Sequence, residues 1–202
     1  MAYPVYLVDD DEAVRKALSL LLSTIDIEVR TFADPTVFLA QLTRLEPGCL
    51  IFDIRMPVMT GLKLQERLEE QRVDWPVIII SGHGDIEACR KAFKNGAVDY
   101  LSKPIDEQDL IDAIHKAQNK LSQLLIDKAL RAENQALLDT LTTREREVLE
   151  RIAEGFTTRQ IADSLGLSPR TVDSHRAAIG LKLGTTSQAE MTRMLLQGNG
   201  PQ

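Results

Sequence analysis

Acidic side chains follow two short apolar segments of this sequence, where they could take part in chemistry on a phosphoryl group. Asp9 and Asp10 come directly after "VYLV" (5–8), and Asp53 comes directly after "CLIF" (49–52). For Asp53 alone, the simpler interpretation is an acid that caps or solvates a strand end. Three carboxylates in one pocket would instead require a cation. Their oxygens favour Mg²⁺, with Mn²⁺ as a substitute, and a carboxylate beside that metal could attack a phosphoryl group.

Two further polar groups follow apolar segments later in the chain. Ser81 comes directly after "VIII" (77–80), and Lys103 comes shortly after "DYL" (99–101). A serine hydroxyl and a lysine ammonium can both bind phosphoryl oxygens. Each residue also has a simpler interpretation, Ser81 as a helix or turn cap and Lys103 as a solvated surface lysine. Chance rarely places all of these groups after successive apolar segments, so the pattern favours one shared site.

Alternating strands and helices are predicted for the first part of the chain, and these elements would position the polar groups. The predicted strands are 5–8, 28–32, 49–52, 77–80 and 99–101. The predicted helices lie near 13–24, 35–44, 61–71 and 86–95, with another from 106. Five strands in this alternation fit a parallel, doubly wound, flavodoxin-like α/β sheet of order 2-1-3-4-5. In that order strands 1 and 3 are neighbours, so Asp9, Asp10 and Asp53 should converge in one crevice.

A long stretch after residue 106 contains neither Pro nor Gly, and its apolar residues recur at helical spacing. We predict that the last helix of the first domain continues as a linker helix to about residue 138. A break near 119–122 is the alternative. The chain is therefore predicted to consist of a first domain over 1–120, a linker helix over 121–140 and an all-helical domain over 141–202.

The segment "TTRQIADSLGLSPRTVDSHRAAIGLKL" (157–183) predicts a helix-turn-helix within the last domain. Ser168 and Pro169 are typical of the N-cap and first position of its second helix. The residues of that helix expected to pack inward are Val172, Ile179 and Leu183. The residues placed to enter a DNA major groove are Arg170, Asp173, Ser174 and Ala177. The residues placed to contact phosphates are Thr158, Arg159, Thr171, His175, Arg176 and Lys182.

The helix before this motif begins in "LTTRERE" (141–147), with Thr142 or Thr143 as N-cap and Glu145 or Glu147 placed for a capping box. From spacing alone, an amphipathic helix with a solvated charged face remains the alternative to a DNA-binding helix.

Charge is divided unevenly along the chain, which carries a net charge of −6. Residues 1–139 contain 16 Lys and Arg against 23 Asp and Glu, whereas residues 140–202 contain 8 against 7. This asymmetry suggests two parts with different partners. Cys49 and Cys89 have no metal-site spacing, and no signal region or membrane span is evident, so we expect reduced thiols and a cytoplasmic protein that does not enter membranes.

Residues 1–120 resemble a response-regulator receiver domain, and residues 141–198 resemble a LuxR-type helix-turn-helix domain of the FixJ/NarL subfamily. The motifs that carry the resemblance are "SGHGD" (81–85), "GAVDYLSKP" (96–104) and "SPRTVDSHRA" (168–177). The chain also resembles regulators of aromatic-hydrocarbon catabolism of the StyR/TodT kind. Two positions depart from the family pattern: Gly180 stands where a large apolar residue is usual, and Leu181 where a basic one is usual.

The resemblance implies roles for individual residues of the first domain. Asp53 would accept the phosphoryl group, Asp10 would bind Mg²⁺ directly and Asp9 through water, with the backbone carbonyl of Arg55 as a further ligand. Ser81 would be the switch hydroxyl and Lys103 the phosphoryl-binding lysine, joined to Pro104 by a cis peptide bond. Tyr100 would rotate inward on activation, although a strand-end residue with a wet hydroxyl is an equal alternative. Asp11 and His83 are expected to be solvated.

The resemblance also implies a function, which is that of a transcriptional regulator rather than an enzyme. A sensor histidine kinase would phosphorylate the protein, which would then form a homodimer on promoter DNA, and RNA polymerase is a candidate partner. Three other classes of protein are alternatives. A phosphatase or phosphotransferase using Asp53 would need an acid where Arg55 stands. A flavin-binding module would need a phosphate-binding loop where Asp9 and Asp10 stand. A DNA-binding protein whose first domain serves only for dimerisation would not need the polar groups.

Overall fold

The structure, a computed structural model, describes residues 3–82 and 86–198. His83 lies outside the described residues. The chain divides into two compact units, residues 1–124 and residues 125–202, and each has a hydrophobic core of its own. Among the described residues, no helix combines the length and the apolar character needed to cross a bilayer.

The first unit is built around a five-stranded parallel sheet of order β2-β1-β3-β4-β5, which confirms the predicted topology. The strands are β1 (Val5–Val8), β2 (Val29–Phe32), β3 (Cys49–Asp53), β4 (Val77–Ser81) and β5 (Asp99–Ser102). The helices are α1 (Glu12–Ser23), α2 (Pro35–Gln41, extended by a 3₁₀ turn over Leu42–Arg44), α3 (Gly61–Glu70), α4 (Ile86–Lys94) and α5 (Glu107–Asp139).

The three central strands are buried along their whole length, as expected for a parallel sheet covered on both faces. Tyr6 and Phe38 pack with Phe52 against one face, with the Phe38 and Phe52 rings in an edge-to-face arrangement at 5.7 Å. The buried hydroxyl of Tyr6 donates to the carbonyl oxygen of Glu46 at 2.8 Å, so burial leaves it with a partner. This packing fixes the strand ends that carry the polar groups.

Helix α5 is continuous from Glu107 to Asp139, so the alternative of a break near 119–122 is not observed. Its first part buries Leu110, Ile114 and Leu121 at helical spacing within the first unit. Its last turns belong to the second unit, where Leu138 is fully buried in the core.

The second unit completes its core with four shorter helices: α6 (Thr143–Ala153), α7 (Thr158–Leu165), α8 (Pro169–Leu183) and α9 (Gln188–Gly198). Thr142 and Glu145 form the capping box of α6, which settles the choice that the sequence left open. Ser168 caps α8 through the backbone N–H of Thr171, and Pro169 occupies its first position, as predicted. Gly166 ends α7 with φ of 66°, the left-handed conformation that allows the sharp turn into α8.

Candidate functional site

Two carboxylates of the first unit meet at the carboxyl edge of the sheet. β1 pairs with β3, and Val8 lies beside Phe52. The next residues along the two strands, Asp9 and Asp53, therefore lie side by side at the strand ends. Asp9 is fully buried and Asp53 is 4% exposed. The Nζ of Lys103 lies 2.8 Å from the Oδ2 of Asp9 and 2.7 Å from the Oδ1 of Asp53. One ammonium group therefore balances two acids that would otherwise be costly to bury.

Backbone groups hold the other oxygens of the same carboxylates. The N–H of Arg55 donates to the Oδ2 of Asp53 at 2.6 Å, and the N–H of Asp11 donates to the Oδ1 of Asp9 at 2.8 Å. Both acids are therefore fixed at each carboxylate oxygen. Burial by itself lowers the pKa of Lys103, but hydrogen bonds and Coulomb attraction to Asp53 and Asp9 outweigh burial, so the pKa of Lys103 is raised.

Neighbouring strands position Lys103 and Ser81 beside the carboxylates. The backbone N–H of Lys103 donates to the carbonyl oxygen of Ser81 at 2.7 Å, and Ser81 is itself buried at the end of β4. The peptide bond between Lys103 and Pro104 is cis, as the resemblance implies. Tyr100 is half-buried on β5 and packs against the core of the first unit.

Of the three carboxylates predicted to converge, Asp9 and Asp53 meet at the ammonium group of Lys103. Asp10 is exposed, and in residues 3–82 and 86–198 no group of three or more His, Cys, Asp or Glu side chains is arranged to hold a metal ion. The prediction overlooked that Lys103 would lie between Asp9 and Asp53. Because two acids already share one ammonium group, a third carboxylate would join them only together with a further cation.

Three residues near the pocket have structural roles that the sequence analysis missed. Asp11 is exposed as expected, but its side chain also caps α1 by accepting from the N–H groups of Ala13 and Val14. The guanidinium of Arg15 donates to the carbonyl oxygen of Asp9 at 2.7 Å. A Cβ at Gly61 would collide with the carbonyl oxygen of Asp53, so only glycine fits there. An acid directly before a helical pattern is typical of an N-cap, so the role of Asp11 could have been predicted. The contacts of Arg15 and Gly61 with Asp9 and Asp53 have no local signal in the sequence.

The second unit presents one exposed side of α8. Val172, Ile179 and Leu183 are buried in its core, as predicted. The residues predicted to enter a major groove are all exposed on the opposite side; they are Arg170, Asp173, Ser174 and Ala177.

The residues predicted to contact phosphates differ in their availability. Within the described part of the chain, the guanidinium groups of Arg159, Arg170 and Arg176 make no ion pair or hydrogen bond, so they are available to an anionic partner; His175 is half-buried. Two threonines have partners close by. The hydroxyl of Thr158 lies 3.4 Å from the Oδ1 of Asp173, and that of Thr171 lies 2.8 Å from the Oγ of Ser168.

Lys182 lies in an arrangement that does not favour its predicted phosphate contact. Its Nζ donates to the Oε2 of the buried Glu145 at 2.6 Å and to the carbonyl oxygen of Thr140 at 3.1 Å. The hydrogen bond from Lys182, followed by that from the N–H of Thr142, lowers the pKa of Glu145 to about 2. The capping-box glutamate needs a cation for its buried charge, and Lys182 supplies it. Lys182 thus ties the end of α8 to the start of α6.

The fold and its two sites together define a class of protein, in which an α/β unit with a buried acid–lysine pocket is joined to a helix-turn-helix unit. Comparison with known families agrees. Residues 5–115 match the response regulator receiver domain, and residues 139–195 match the bacterial regulatory proteins of the luxR family.

Individual relatives match along almost the whole chain. The response regulator protein TmoT of Ectopseudomonas mendocina is 40% identical over 190 residues, which are 94% of this chain and 86% of TmoT. The transcriptional regulatory protein FixJ of Rhizobium meliloti is 38% identical over 200 residues, 98% of each chain. A low-resolution structure of the response regulator StyR has a TM-score of 0.81 and 36% identity, covering 96% of this chain and 98% of that one.

This chain belongs to the response regulators that combine a receiver domain with a LuxR-type DNA-binding domain. It is a two-component response regulator that controls transcription, as the expected FixJ-like and StyR/TodT-like resemblance indicates. The pair of domains implies a kinase partner and binding to DNA, and receiver domains generally use Mg²⁺ for phosphorylation.

Proposed function

We propose that a sensor histidine kinase phosphorylates Asp53, and that this phosphorylation controls homodimer formation and sequence-specific binding to promoter DNA. The observation that carries the proposal is the Asp53 carboxylate itself, held at the sheet edge by Lys103 on one oxygen and by the N–H of Arg55 on the other. Such a carboxylate is oriented before a phosphoryl donor arrives.

In the transfer step, a carboxylate oxygen of Asp53 forms a bond to phosphorus. The bond between phosphorus and the histidine nitrogen of the kinase breaks, and the imidazole leaves with the bonding electron pair and takes up a proton. Lys103 would turn from the carboxylate to the new phosphoryl oxygens, which carry about −1.5 to −2 charges by analogy with other phosphorylated residues. Ser81, at the adjacent strand end, would donate a hydrogen bond from its hydroxyl to one of those oxygens.

Two features support a Mg²⁺ site at this edge: the carboxylates of Asp9 and Asp53 already share one cation, the ammonium group of Lys103, and the exposed Asp10 follows Asp9 directly. These residues and the backbone carbonyl of Arg55 would hold the ion, and Mn²⁺ could replace it. When bound, Mg²⁺ would neutralise part of the negative charge on the phosphoryl oxygens.

Movement of Ser81 and Lys103 towards a phosphoryl group would act on the elements that carry them. Tyr100 lies on β5 between these groups in the chain, and its inward rotation would accompany the change. The face formed by α4, β5 and the first turns of α5 is then the surface proposed for the homodimer.

The output unit would bind DNA through the exposed side of α8. The available guanidinium groups of Arg159, Arg170 and Arg176 are the best-supported phosphate contacts, whereas Lys182 serves Glu145. With a net charge of only +1 over residues 140–202, one unit should bind DNA weakly, and a homodimer on a repeated site would restore affinity.

A protein that binds promoter DNA would act in the cytoplasm, and RNA polymerase is then a candidate partner at the same promoter. No independent enzymatic turnover is proposed, since Arg55 stands where a second acid would be needed.

The experiment incubates the full chain with acetyl phosphate and Mg²⁺ and follows its mass. Wild type should gain one stable phosphoryl group and Asp53→Asn should gain none. Asp11→Asn should behave as wild type, because the Asp11 side chain caps α1 and the substitution leaves the backbone N–H that holds Asp9 in place. Equal phosphorylation of Asp53→Asn would refute the assigned acceptor, and rapid steady release of phosphate would favour a phosphatase. Footprinting of promoter DNA with and without phosphorylation then tests the output.

A further inference from the structure

Helix α8 exposes one large apolar side chain near its C-terminal end. Leu181 is 86% exposed, more than any other large hydrophobic residue that the structure describes. A single exposed leucine is ordinary on a protein surface, so only its position can indicate a function.

Leu181 lies on the side of α8 that is proposed to enter DNA. At about 3.6 residues per turn, it lies within about 40° of Arg170, Ser174 and Ala177 around the helix axis, and about 160° from the buried Ile179. Its neighbour Lys182 points elsewhere, to Glu145. Towards its C-terminal end, this side of α8 therefore changes from a charged and polar surface to an apolar one.

We propose that Leu181, together with Ala177, contacts the 5-methyl groups of thymines in the major groove and thereby determines part of the operator sequence. Thymine alone presents a methyl group there, and an apolar side chain distinguishes it from the other bases by that group. The two residues are separated by about 6 Å along α8, so they can reach different base steps. This inference rests on the proposed function only in that α8 is the helix that reads DNA.

Compared with a basic residue, a leucine at this position should lower the affinity for DNA in general and raise the selectivity for particular sequences. A basic residue would contact phosphates and strengthen binding to every sequence alike. A methyl contact strengthens binding only where thymine stands, by about threefold to tenfold for each methyl group buried.

The test replaces thymine with deoxyuridine, which lacks the methyl group but keeps every hydrogen-bonding edge. The full chain, treated with acetyl phosphate and Mg²⁺, first selects binding sites from a randomised duplex library. Each thymine of the selected site is then changed to deoxyuridine in turn, and dissociation constants are measured for wild type, Leu181→Ala and Leu181→Met. Leu20→Ala, at a 71% exposed leucine of the first unit, is the matched control.

For wild type, one or two positions should lose about threefold to tenfold in affinity on removal of the methyl group. Leu181→Ala should lose this sensitivity at one of them, while Leu181→Met and Leu20→Ala should keep it. The inference is overturned if deoxyuridine is tolerated everywhere, or if Leu181→Ala keeps the wild-type pattern, and in both cases the proposed function stands. If wild type selects no sequence at all, the proposed function fails as well. Leu181 is exposed, so unchanged thermal unfolding of the variants excludes a folding defect.

Discussion

The ammonium group of Lys103 bridges Asp9 and Asp53 from a position 94 residues away from Asp9 in the chain. Removing it would leave two buried carboxylates facing each other. We expect Lys103→Met to lower the free energy of unfolding by about 2–4 kcal/mol, because an uncompensated charge would remain buried. Urea unfolding followed through the fluorescence of Trp75 measures the change. The matched control is Lys116→Met, whose 2.8 Å ion pair with Asp99 is exposed, and it should change little. Equal losses in the two variants would contradict the bridging role.

The same bridge predicts a loss of stability in alkaline solution. The pKa of Lys103 in the folded protein is raised above its ordinary value of 10.5, so its contribution is complete below that pH and disappears as pH rises through the raised value. Burial also raises the pKa of the Tyr6 hydroxyl, so the folded state loses stability in the same alkaline range for a second reason. The difference in unfolding free energy between wild type and Lys103→Met, which cancels the Tyr6 contribution, should therefore shrink above pH 10.5. A difference that stays constant from about pH 9 to about pH 12 would argue against it.

The ion pair between Lys182 and Glu145 predicts the opposite pH dependence in the second unit. The pKa of Glu145 is lowered to about 2, so the pair stabilises fully above the ordinary value of 4.5 and its contribution disappears as pH falls towards 2. Lys182→Met should remove this stabilisation, and amide hydrogen exchange along α6 and α8 should quicken at neutral pH. Arg144→Met breaks only an exposed pair on α6 and serves as the control. Unchanged exchange in Lys182→Met would show that Lys182 is free for another role.

The available arginines of the second unit predict the salt dependence of DNA binding. Replacing Arg159 or Arg176 by Gln should reduce the slope of log Kd against log salt by about 1 for each phosphate that the variant no longer neutralises. Arg193→Gln, on α9 and paired with Glu190, should leave the slope as it is. The measurement is a salt titration of binding to one duplex, and unchanged slopes for Arg159→Gln and Arg176→Gln would remove these residues from the interface.

The close approach of Gly61 to Asp53 predicts that a single methyl group will disturb the phosphorylation site. In Gly61→Ala the new Cβ meets the carbonyl oxygen of Asp53, which cannot move without shifting the strand end. We expect a loss of stability of about 1–3 kcal/mol and a slower reaction with acetyl phosphate. Gly48→Ala creates a comparable clash with Tyr6. It should destabilise without slowing phosphorylation at a temperature where both variants are folded, and equal slowing in both would indicate a general defect.

Local pattern was enough to predict the sheet order and the helix-turn-helix. Buried strands of a parallel sheet are continuous apolar runs, and Ser168, Pro169 and Gly166 mark helix ends by conformational preference within a few residues. Such signals depend only on neighbours in the chain. They left the course of α5 open between two alternatives, because helical spacing does not reveal whether later packing interrupts a helix.

The chain by itself therefore determined which residues stand at the strand ends and which side of α8 is buried. Only the tertiary structure decided where each charged group points. Lys103 turned to two acids and left Asp10 in solvent, while Lys182 turned to Glu145, 37 residues away in the chain, instead of to the DNA-facing side. The reason is electrostatic: a buried charge binds the nearest opposite charge in space, and that neighbour is set by how distant segments pack.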